Sequence, residues 1–178
     1  GVLLGDISGH GVKAAVMTML IKSVVSAYLF EGERSPAKIV TRLNPLLLET
    51  MGGDDFASLI IFVFDPADDM CRYSCAGHPP AYLAHAGGGV EILTERSPIV
   101  GVLEQVTFTE SSFRLSRGDI LFLYTDGVTE ARDGENDFFG EDRLLRTFER
   151  ELVEGFDGLV GRVFDSVERF AGGEFRDD

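Results

Sequence analysis

Gly5-Asp6-Ile7-Ser8-Gly9-His10-Gly11 sets a carboxylate, a hydroxyl and an imidazole into one short stretch built on three glycines. Glycine lets the backbone turn through positive φ and lets another group approach closely. Two chemistries suit such a stretch. In one, backbone N–H groups at a helix N-terminus cradle a phosphate directly. In the other, Asp6 holds a hard divalent cation and the cation holds the phosphate. A bare carboxylate repels an anion, so Asp6 favours the cation, and no Gly-Lys-Ser/Thr opens the helix as a P-loop requires. A third reading, a tight glycine turn with Asp6 or Ser8 capping the helix, stays open on this stretch alone.

Ile120-Leu121-Phe122-Leu123-Tyr124-Thr125-Asp126-Gly127 repeats the theme of apolar strand, aspartate and glycine. A carboxylate at the end of a buried strand is costly to desolvate unless something positive meets it. Two such strand-end aspartates suggest a shared cation, the alternative for Asp126 being a turn former ahead of Gly127. Asp177-Asp178 adds a third acidic site, which alone reads as a solvated tail. His78 in its Gly-His-Pro-Pro turn reads as a structural loop former, Glu130 as a solvated helix-start residue, and Asp54-Asp55 as loop solvation. His85 carries no signal.

These groups need elements to position them. Val2-Leu3-Leu4 is the apolar run before Asp6, and from His10 to Phe30 a helical stripe runs through Val12, Ala15, Val16, Met19, Leu20, Val24, Ala27 and Tyr28. Ile21, Val25 and Leu29 make a second face apolar, which predicts cover on more than one side and points to a partner surface, a homodimer being one form. Lys13 and Lys22 bracket the apolar run and leave it far short of a membrane span. Ser35-Pro36 starts a second helix with Ile39, Val40, Leu43, Leu46 and Leu47 inward. Pro45 is expected to kink it or restart it with Asn44 as a new cap, and Gly52-Gly53-Asp54-Asp55 to end it.

Strands follow. Phe56–Phe64 and Met70–Ala76 make a hairpin about the Asp65–Asp69 turn, and Ala81–Ala86 and Val90–Leu93 make another about Gly87-Gly88-Gly89. Val106–Leu115 alternates weakly, Arg117-Gly118-Asp119 turns the chain, and Ile120–Tyr124 is a buried strand. Helices are predicted over about Glu141–Val153, with Leu144, Leu145, Phe148 and Leu152 inward, and about Gly158–Phe170, with Leu159, Val160, Val163, Phe164 and Val167 inward. Meander-like strands grouped between helix pairs indicate α+β with antiparallel sheets.

The chain has 178 residues, 44% of them hydrophobic, with 14 Phe and no Trp, which suits one globular domain with a full core. A net charge of −14 argues against nucleic acid or an anionic membrane as partner. Cys71 and Cys75 lie four apart in one strand, too far along an extended chain to bridge, and read as buried thiols of a reducing, cytoplasmic compartment.

Four motifs then occur in a telling order: Gly5-Asp6-Ile7-Ser8-Gly9-His10-Gly11, Ala76-Gly77-His78-Pro79-Pro80, Thr125-Asp126-Gly127-Val128-Thr129-Glu130-Ala131 and Asp177-Asp178. With Phe138-Phe139-Gly140 they resemble bacterial PPM (PP2C-like) serine/threonine phosphatases of the SpoIIE/RsbU type, over essentially the whole chain. The resemblance implies an αββα sandwich, two antiparallel sheets with helix pairs outside, and a centre of two Mn²⁺ or Mg²⁺ ions. It implies Asp6 as bridging ligand, Ile7 through its backbone carbonyl, and Asp126 and Asp177 as further ligands. The family's first aspartate lies in a segment upstream of Asp6 that this chain lacks, as it lacks the strand after Asp178. A complete metal site is therefore expected only in the intact domain.

The implied reaction is in-line attack of a metal-activated water on a phosphoseryl or phosphothreonyl group. Neither cysteine has a role in it. His10 is a candidate general acid for the leaving oxygen, the alternative being that it braces the loop. The substrate implied is a phosphorylated anti-sigma-factor antagonist, a STAS-domain protein of a partner-switching pathway. The rival reading is a non-catalytic regulatory module on the same fold, and a nucleotide-binding domain is disfavoured by Asp6.

Overall fold

The computed structural model describes residues 1–50 and 56–172. The order is β1 (Val2–Ile7), α1 (Val12–Phe30), α2 (Pro36–Thr50), β2 (Ala57–Asp65), β3 (Met70–Ala76), β4 (Ala81–Ala84), β5 (Val90–Leu93), β6 (Ser111–Arg114), β7 (Ile120–Phe122), α3 (Asp126–Thr129), α4 (Gly140–Leu152) and α5 (Leu159–Phe170). The chain divides into two compact units, Gly1–Leu123 and Tyr124–Asp178.

The first unit holds both sheets, each antiparallel throughout: β1-β2-β3-β6 and β5-β4-β7. β2 reads as an unbroken apolar run because both its faces are covered. Successive side chains of a strand point to opposite faces. Leu59, Ile61 and Val63 join Ile39, Val40, Leu43 and Leu47 of α2 and Met17, Ile21 and Val25 of α1. Ile60 and Phe62 join Cys71, Tyr73 and Cys75 of β3 and Ala81, Leu83 and Leu93 of the other sheet. There Phe62 stacks on Tyr73 at 5.5 Å and meets Phe113 edge-on at 6.5 Å. The unit is thus layered helix, sheet, sheet. Cys71 and Cys75 are free and buried, and burial pushes the Cys71 thiol up to about 11.

The helices differ from their sequence patterns in informative ways. α1 buries Met17, Ile21 and Val25, the face expected to be secondary, while Val12, Val16, Met19 and Phe30 stay exposed. A helix apolar all round offers no contrast from which to choose its inner side. Contrary to expectation, α1 is also long and apolar enough to cross a membrane by length and composition. It packs on α2 and β1 through Met17, Ile21 and Val25, which leaves 17% of that stretch buried.

α2 runs without a break through Pro45, so the expected restart does not occur. Asn44 is not a cap. It is 3% exposed, donates through Nδ2 to the Leu103 carbonyl at 2.8 Å and accepts from the Gly101 N–H at 2.9 Å, tying the helix to that loop. Ser35 does cap: Oγ accepts from the Lys38 N–H at 3.2 Å and donates to Glu110, whose carboxylate also accepts from the Ala37 N–H. Leu46 is among the exposed large apolar residues. The expected end of the helix, 52–55, lies outside the described residues.

The expected strand Val106–Leu115 contracts to β6, and Ile120–Tyr124 to β7. In the second unit, α4 and α5 pack on each other, with Leu144, Phe148, Val163 and Val167 buried. Val160 and Phe164, expected inward, are 70% and 45% exposed. Arg162 closes the loop between them, donating to the carbonyls of Glu151 at 2.9 Å and Gly155 and pairing with the Glu151 carboxylate at 3.2 Å.

Candidate metal-binding residues

β1 carries Asp6 one residue before its end, directly across from Ser58 of β2. The strands approach closely there because residue 5 is glycine: a Cβ on it would sit 2.9 Å from the Ser58 carbonyl oxygen. Past Ile7 the chain turns through Gly9 (φ 89°) and Gly11 (φ 81°), conformations that disfavour other residues. Ser8 fastens the turn. Its N–H donates to the Phe56 carbonyl at 2.9 Å and its Oγ accepts from the Phe56 N–H at 2.7 Å. Neither Asp6 nor Ser8 caps α1, whose N-cap is Gly11 with no side-chain cap.

The Asp6 carboxylate is exposed and has no hydrogen bond or ion pair among the described residues. Asp126 is likewise exposed. Its side chain has no partner there, while its backbone carbonyl accepts from the Glu130 N–H at 2.8 Å and Thr129 Oγ1 at 3.0 Å. The premise that these carboxylates are desolvated is therefore corrected: both face solvent, and what sets them apart is the lack of a partner. Asp126 opens α3 in the second unit, with Thr125 as N-cap, and Glu130 closes that helix rather than starting one. Asp177 and Asp178 lie outside the described residues. Among the described residues no three His, Cys, Asp or Glu side chains form a metal-holding group.

His10 is exposed and lines a small cavity of about 100 Å³ with Ile7, Ser8 and Lys13. His78 is 3% exposed; its Nδ1 shares a hydrogen bond of 3.0 Å with Ser58 Oγ, and its carbonyl accepts from Cys75 Sγ. Its loop role places it behind the residue opposite Asp6. Ser58 was missed from sequence, although a signal existed: it is the one hydroxyl in the apolar run of β2.

The exposed carboxylates of Asp6 and Asp126 are each an oxygen donor of the type that suits a hard divalent cation, with no side-chain partner among the described residues. The family model for stage II sporulation protein E (SpoIIE) matches residues 1–178. The chain is 32% identical to Protein IcfG of Synechocystis sp. over 212 residues, covering 96% of this chain and 33% of the relative. It is 31% identical to Phosphoserine phosphatase RsbP of Bacillus subtilis over 134 residues, covering 73% of this chain and 33% of that one. The chain thus spans about a third of the length of these relatives.

Among solved structures, the RsbU and RsbW domains of Rv1364c from Mycobacterium tuberculosis match with a TM-score of 0.77 at 21% identity, covering 94% of this chain and 46% of that one. The catalytic domain of the serine/threonine protein phosphatase PstP, in complex with two manganese ions, matches at 0.65 and 14% identity, covering 98% and 82%. The fold is that of the PP2C-like phosphatases, the αββα class expected from the motifs. The chain belongs to the SpoIIE family.

Proposed function

We propose that this chain is the catalytic part of a metal-dependent phosphoprotein phosphatase that hydrolyses phosphoserine or phosphothreonine. The observation that carries the reading is two exposed aspartates, Asp6 and Asp126, whose side chains have no partner among the described residues of a chain of this family. Asp6, the Ile7 carbonyl, Asp126 and Asp177 are the proposed ligands of two Mn²⁺ or Mg²⁺ ions. When bound, the ions supply Lewis acidity at neutral pH. Gly5 and Ser8 hold the Asp6 backbone against β2, so the carboxylate is presented from a fixed strand. His10, exposed beside that turn, is the proposed proton donor to the departing seryl oxygen.

The proposed substrate is a phosphorylated anti-sigma-factor antagonist of the STAS type. The name of RsbP, a phosphoserine phosphatase, supports a phosphoseryl group as the part of that substrate acted on. The two buried, unbridged thiols support a cytoplasmic setting. The test is Mn²⁺-dependent release of phosphate from a phosphoseryl protein by the intact domain, with and without Asp126→Asn. Turnover that vanishes in the variant is the expected result. Equal turnover in both would transfer the chain to the rival reading, a non-catalytic regulatory module.

A further inference from the structure

The second unit carries a feature that the proposed hydrolysis does not use. Between α4 and α5 lies a cleft of about 500 Å³ lined by Arg143, Arg146, Arg150 and Arg169 together with Thr147 and Ser166. Four guanidinium groups around one opening stand out in a chain whose net charge is −14.

Three of the four are held by contacts on this face. Arg143 donates to the Phe138 carbonyl at 2.6 Å and lies 4.7 Å from the Phe170 ring centre. Arg150 and Arg169 both donate to Ser166 Oγ, at 3.2 and 3.1 Å, and Ser166 in turn donates to the Arg162 carbonyl at 3.0 Å. Two cations are thereby held on one neutral hydroxyl oxygen, where they repel each other, and only Arg150 has a carboxylate beside it. Glu151 pairs with Arg150 at 2.9 Å but is shared with Arg162, and among the described residues Arg143, Arg146 and Arg169 have no acidic partner. Glu149, Asp165 and Glu168 do not line the cleft, while Glu141 and Asp142 of α4 line an adjoining pocket with Arg143 and Arg146.

We infer that this cleft binds a phosphate-type oxyanion, either free inorganic phosphate or a phosphoseryl side chain. Planar guanidinium forks match tetrahedral oxyanions through paired N–H donors. An anion there would relieve the crowding of Arg150 and Arg169 and meet Arg146, which has no acidic partner among the described residues. The lining includes none of the proposed metal ligands and needs no metal, so it stands or falls independently of the hydrolase reading.

The experiment is a titration of the full chain in EDTA with inorganic phosphate, and in parallel with a phosphoserine peptide and its glutamate counterpart. Ionic strength is held with chloride, and the guanidinium Nε–H resonances are followed by NMR. Saturable shifts at Arg146 and Arg169 are expected, with affinity falling about tenfold or more in Arg146→Ala/Arg169→Ala. Tighter binding of the phosphopeptide than of inorganic phosphate identifies the source as a phosphoprotein, and equal binding identifies free phosphate. The Arg146→Lys/Arg169→Lys variant keeps charge without the fork, so weakened binding there tests the geometry even if the alanine variant unfolds. Absence of saturation, unchanged affinity in the variants, or equal binding of the glutamate peptide would overturn the assignment.

Discussion

Asp119 and Asp6 sit in the same unit, each beside a glycine that shapes the local backbone, and their carboxylates have opposite fates. Asp119 accepts from the Ala86 N–H at 2.9 Å and the Ser116 N–H at 2.8 Å, and its side chain is 4% exposed. Those donors, Ala86 first, hold its carboxyl below the usual carboxylate range, with His85 adding a smaller pull. Asp6 has glycines around it and no donor among the described residues. One carboxylate fixes a turn, whereas the other is held in place by its strand and left open. Glycine near aspartate therefore says little by itself; what the proposed ligand role of Asp6 rests on is a fixed backbone under a side chain with no partner among the described residues.

The contrast breaks most sharply under substitution. Asp6→Asn in the intact domain should lower Mn²⁺-dependent turnover about a hundredfold or more, the scale of losing metal-held charge stabilisation. Its melting temperature without metal should barely change, because no protein contact is removed. A drop in stability comparable to the drop in activity would mean that Asp6 belongs with Asp119. Asn44→Ala supplies the opposite extreme. It leaves the buried Gly101 N–H without its acceptor and should cost about 2 kcal/mol, or about 4–8 °C in melting temperature, with turnover little altered. Asp119→Asn should cost about 1–2 kcal/mol by calorimetry, since the amide can accept only one of the two N–H donors well.

Much of this was readable in the sequence, for physical reasons that also set its limits. β2, β3 and the α4–α5 pair were visible because period and length are local properties. The inner face of α1 was not, since a helix with apolar residues on all sides is oriented only by its neighbours. Pro45 misled because breaking is a propensity, and a helix anchored by Leu43, Leu47 and the Asn44 bridge overrides it. Asp6 and Asp126 were singled out by position, but through an argument from desolvation that the exposed side chains do not support. Ser58 shows in the sequence only as the one hydroxyl of an apolar run, its place opposite Asp6 being set by register, and the arginine cleft is set by helix pairing, which is not written in spacing along the chain.

Acid provides the finest test of the Asp119–Asp6 contrast. A carboxyl whose folded value lies below its ordinary value of 3.8 adds stability that is fully present above that value and is lost as pH falls through the folded one. Stability measured by urea unfolding should therefore separate wild type from Asp119→Asn by a constant margin at pH 5–7. The margin should narrow as the pH drops below about 4, because protonated Asp119 can no longer accept from both Ala86 and Ser116. The variant has no titrating group at this position, so its own curve should lack that component. A margin independent of pH down to the acid limit would assign the loss to packing of the 116–119 turn rather than to its charge, and would leave Asp119 no different in kind from Asp6.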